Sequence, residues 1–68
     1  MSRYKNIKLK TILTETIPEI IDEIYTAGND VREIGLERDG QAIQEIGTLL
    51  DELDRALIEK HKDKFEED

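Results

Sequence analysis

Between Ile17 and Leu57 the apolar residues return every three or four positions, with acids and amides filling the intervals. Ile17, Ile21, Ile24, Gly28, Val31 and Gly35 form an unbroken series, with Ile20 and Tyr25 beside it. That spacing lines one face of an α-helix. Ile43, Ile46, Leu50, Leu53 and Leu57 form a second series at heptad a and d positions. Ala42, Leu49, Ala56 and Ile58 widen it beyond the seam of a two-stranded coil, towards what a bundle needs. The first helix has a clear start signal. Thr14 or Thr16 can cap it, Pro18 suits a first turn, and Glu15, Glu19, Asp22 and Glu23 favour the positive end of the helix dipole. Asp39 and Gly40 signal a stop. The pattern predicts a helix over about 17–38, a turn at about 39–41 and a helix over about 41–64.

Two glycines interrupt the first stripe, and each costs a helix interior about 1 kcal/mol relative to alanine. One reading ends the helix after Ala27, with Gly28 as a left-handed cap and Asp30 and Glu33 opening the next helix. The preserved phase across Gly28 favours a continuous helix, because a loop need not conserve it. Gly28 and Gly35 then leave gaps on the stripe where another helix can approach closely. Residues 1–14 read differently. Ile7 and Leu9 alternate with lysines, which predicts a short extended or disordered basic arm. Residues 66–68 form a frayed tail.

The expected fold is therefore all-α: an antiparallel helical hairpin over 15–65 behind an N-terminal arm. A lone hairpin leaves half of each stripe wet. A chain of 68 residues also has a core that rarely supplies more than about 3–5 kcal/mol. There is no cysteine and only one histidine, His61, so disulfides and cysteine or histidine zinc sites are excluded as staples. Oligomerisation remains, and a homodimeric four-helix bundle is the expected assembly. Its interface would use Ile17, Ile21, Ile24, Gly28, Val31, Gly35, Ile43, Ile46, Leu50, Leu53 and Leu57.

Charge narrows the function classes. The net charge is −7, yet residues 1–10 hold Arg3, Lys5, Lys8 and Lys10 and no acid, leaving −11 on the remainder. An acidic body disfavours a phosphate backbone, while the basic arm keeps nucleic acid as a local option. The body itself suggests a small acidic regulator that occupies a basic groove and competes with nucleic acid. Candidate partner-binding positions are Lys8 and Lys10 in the arm and Asp51, Glu52 and Asp54 in the second helix.

Nothing points to catalysis. Paired acids need a concave, partly dry site to act, and a short hairpin offers little concavity. His61 has Ile58, not glutamate, three residues before it, so the di-iron bundle signature fails. No Gly-Lys-Ser/Thr phosphate loop occurs. The expectation is no enzyme activity, no cofactor and no metal. No apolar run approaches the roughly 20 residues of a membrane span. After the basic SRYKNIKLK only TIL precedes polar TETIPE, which leaves no room for the apolar region of a signal peptide. Cytoplasmic location and no membrane partner are the expectation.

Two resemblances add alternatives. IKLKTILTETIPEIIDEIY resembles the strand and first helix of the ribbon-helix-helix repressors and their antitoxin relatives. That likeness implies a strand paired across a dimer, with Lys8 and Lys10 directed at the major groove. The chain departs from the family in having a long helix after Gly40. EIYTAGND, RAL and the overall size are similar to the helical-hairpin sponge proteins by which phages sequester cyclic nucleotide signals. That likeness implies Arg32, Arg38 and Arg55 as phosphate contacts at subunit interfaces. Its spacing departs by about one helical turn, and the family's ligand residues find no match. The leading expectation is a small non-enzymatic regulatory or interaction protein that binds itself and another protein.

Overall fold

A computed structural model describes residues 2–65 of the chain. The described residues form a helical hairpin 49 Å long and 16 by 13 Å across. The first limb is α1 (Ser2–Thr11), a π-helical segment (Ile12–Thr16) and α2 (Ile17–Glu33), running on without a break. The second limb is α3 (Glu37–Phe65), which packs back along α2 and reaches α1.

The N-terminal segment is helical, which corrects the expected extended or disordered arm at 1–14; Met1 lies outside the described residues. The alternation of Ile7 and Leu9 was the misleading signal. Leu9 and Ile12 are half-buried and Leu13 is the most buried side chain among the described residues, 2% exposed, while Ile7 is exposed. This three-and-four spacing puts Leu9, Ile12 and Leu13 on the side next to α3. Tertiary contact thus supplies what a lysine-rich segment lacks alone. The tail at 66–68 falls outside the described residues.

Pro18 does not open a helix. It lies two residues into α2, with helix already behind it. In an unbroken α-helix its ring would press on the Thr14 carbonyl and leave that carbonyl without a donor. The preceding turn is widened instead: the Ile17 N–H donates to Ile12 O, five residues back. The Thr14 hydroxyl donates to Lys10 O at 2.7 Å and satisfies one carbonyl of the disturbed ladder. Thr16, expected as a cap, has helical φ and ψ and caps nothing.

Phase is a sound guide at Gly28, which α2 passes through. The turn is at Gly35, not at 39–41. Gly35 has φ of 100°; its N–H donates to Arg32 O at 3.0 Å and the Leu36 N–H to Val31 O at 3.2 Å. These two bonds make a Schellman cap, with Leu36 and Val31 as its usual apolar pair. Gly35 therefore leaves the stripe and reverses the chain. Gly40, the expected stop, is buried in the second turn of α3. Asp39 and Gly40 imitate a stop, but Gly40 serves helix approach. A Cβ on Gly28 would sit 2.8 Å from Gly40 O and 2.5 Å from Gln44 Cγ, and a Cβ on Gly40 would strike Gly28 O and Arg32 Cγ.

Candidate interaction surface

The seam between the limbs is set by a seven-residue rhythm in α3. Gly40, Gly47 and Asp54 are buried along it, and half-buried His61 continues it. Gly47 admits Ile24 and Tyr25, whose atoms would lie 3.2–3.4 Å from an added Cβ. Ile21 and Gly28 are buried opposite, so these two members of the expected oligomer interface are engaged inside one chain. The seam divides the hairpin into two broad faces.

One broad face is polar and internally bonded. The Tyr25 and Thr48 hydroxyls hydrogen-bond at 2.9 Å, and Gln44 Nε2 donates to Tyr25 O at 3.4 Å. Arg32 Nη1 donates to Gln44 Oε1 at 3.1 Å, while its Nε pairs with Glu37 Oε2 at 2.6 Å across the turn. Arg55 pairs with Asp51 at 3.3 Å, one turn away on the same helix. Arg32 and Arg55 are thus bonded to different neighbours and share no partner.

The other broad face is apolar. Ile17, Ile24, Val31, Ile43, Leu50 and Leu57 are half-buried at its base. By helical phase, Ile20, Ile46, Leu49 and Leu53 stand on the same side. They remain 42%, 57%, 65% and 54% exposed. Within one hairpin nothing covers them.

Charge is separated along the long axis. The open end, opposite the turn, carries Lys5, Lys8, Lys10, Lys60, Lys62 and Lys64, with Glu59 and Asp63 among them and Lys62 paired with Glu59 at 3.3 Å. The turn end carries Asp30, Glu33, Glu37 and Asp39, with Arg32 and Arg38 among them. Lys8 and Lys10 are exposed helix residues, and no strand occurs among the described residues, so the paired ribbon expected for them does not form. Asp51, Glu52 and Asp54 do not make one acidic patch: Glu52 is exposed, Asp51 holds Arg55, and Asp54 is turned into the seam at 4% exposure.

Asp54 is the unusual group. Its Oδ1 is buried without a hydrogen-bond partner. Loss of water, and secondarily the charge of Asp51, raises its pKa from the ordinary aspartate value. Sequence reasoning places Asp54 outside because acids usually are. The Gly40, Gly47, Asp54, His61 spacing is the available signal that it lies inside.

A shallow depression at the turn is lined by Gly35 to Asp39. Among the described residues no three acidic, histidine or cysteine side chains gather as metal ligands, and no helix is long and apolar enough to cross a membrane. Compared with known proteins, the chain matches no family model, no curated protein and no solved structure.

Proposed function

We propose that this is a small, non-enzymatic regulatory protein that associates with itself through the apolar face and binds a basic macromolecular partner, in the manner of an acidic inhibitor of a nucleic-acid-binding protein. The observation that carries self-association is the exposed row Ile20, Ile46, Leu49 and Leu53. A chain this short gains from covering such a row, since each large aliphatic side chain taken from water contributes about 1.5–3 kcal/mol when fully buried. The acidic outer residues support the second half of the reading. Glu19, Asp22, Glu45 and Glu52 are exposed, and by phase they stand away from the apolar face.

Light scattering over a dilution series, with helicity followed in parallel, tests self-association. A dimer that loses helicity only as it dissociates is the expected result, and Leu53→Glu should give a monomer. The partner half is tested by competition. The protein should displace duplex DNA from a basic DNA-binding domain, weakly at high salt, and Glu45→Lys with Glu52→Lys should abolish this. A stable, fully helical monomer would overturn the first half; competition unaffected by the reversals would overturn the second.

A further inference from the structure

We infer that the apolar face is covered by a second copy of this chain laid antiparallel, so that the lysine-rich open end of each copy lies on the acidic turn end of the other. This rests on the self-association proposed above and adds its orientation and register.

The apolar row sits near the middle of the molecule. Ile20 is about 20 Å from the turn end of α2, and Ile46 to Leu53 lie about 14–24 Å from the start of α3, at 1.5 Å per residue. The row's centre is thus about 19 Å from the turn, in a hairpin 49 Å long. A two-fold axis through that point, perpendicular to the helices, keeps row on row while reversing the second copy. The copies then overlap over about 38 Å of their length. With a width of 16 Å, that gives each about 600 Å² of contact, at the lower limit of specific interfaces.

The charges beside the row select this arrangement. By helical phase the apolar face ends in Lys5, Lys8, Lys60 and Lys64, with Asp63 among them, at the open end and in Asp30 and Asp39 towards the turn. All seven are exposed. Lys60 and Lys8 lie about 35 and 37 Å from the turn. Under the two-fold axis, Asp30 of the partner subunit and Asp39 of the partner subunit arrive at about 34–35 Å. Basic and acidic ends therefore meet twice in each dimer. A parallel pair places lysines on lysines and acids on acids, which is unfavourable at both ends.

The chain has no cysteine, so single thiols report orientation cleanly. Lys60→Cys and Asp39→Cys are prepared separately at exposed positions, mixed, and oxidised. The antiparallel dimer should give a disulfide between position 60 of one copy and position 39 of the other in the mixture, and none in either variant alone. Lys8→Glu with Lys60→Glu should raise the dimer dissociation constant about tenfold at low salt, and about 1 M salt should erase the difference. Cross-linking of either variant with itself, or a dimer by light scattering that gives no mixed cross-link, overturns the orientation and leaves self-association standing. A monomer overturns both.

Discussion

At the residue scale, four positions carry consequences that their residue types alone do not announce. Gly28 and Gly40 lie backbone to backbone, and a methyl group on either meets the other's carbonyl. Gly28→Ala and Gly40→Ala should each destabilise the hairpin by about 1–3 kcal/mol despite alanine's better helix propensity, read as a lower urea midpoint. Gly35 has open space around its Cβ position but φ of 100°. Gly35→Ala should cost about 1–2 kcal/mol from backbone strain alone. Asp54 predicts a pH dependence. Its folded-state pKa is raised, so the fold binds a proton more tightly than the unfolded chain does. The stability it contributes is fully present below the ordinary aspartate range and is lost as pH rises through the raised value. Asp54→Asn should flatten that part of the stability profile, and Asp54→Leu should raise stability at neutral pH by about 1 kcal/mol.

At the element scale, the π-helical segment reconciles two demands on the first limb. Pro18 needs the turn before it opened, and the seam needs register. Buried Leu13 and Ile21 are eight apart, whereas Ile21 and Gly28 are seven apart. The extra residue in the widened turn absorbs that difference. Deleting Glu15 in a Pro18→Ala background should therefore give a regular helix with the same seam. The expected result is unchanged helicity and a melting temperature within a few degrees of the parent. Pro18→Ala alone should leave the widening in place, because the seam still holds one residue too many; amide exchange through 12–17 would report it.

At the scale of the whole molecule, two amphipathic limbs make one hairpin with a polar and an apolar side. The polar side is bonded within itself through Tyr25, Thr48, Gln44, Arg32 and Glu37. The apolar side is where the proposed assembly and its antiparallel order belong. Raising the salt concentration should weaken the end-to-end charge contacts but strengthen apolar burial when the salt is sulfate. A dimer held mainly by Ile20, Ile46, Leu49 and Leu53 should therefore survive sulfate, while its orientation preference fades.

Periodicity alone determined that the body of the chain after residue 14 is helical, that α2 continues through Gly28, and that two helical limbs fold back on each other. Those features follow from local geometry, in which residues three and four apart share a face whatever lies opposite. The tertiary structure decided which glycine turns the chain and which lets the limbs touch. Gly35 and Gly40 have the same local credentials, and only the position of the other limb distinguishes a left-handed cap from a close contact. It also decided that residues 2–11 are helical, because Leu9 and Leu13 find α3 beside them, and that Asp54 faces inward, because the seam passes through its position. A sequence specifies the faces of its helices; which face meets which is settled only when the limbs are packed.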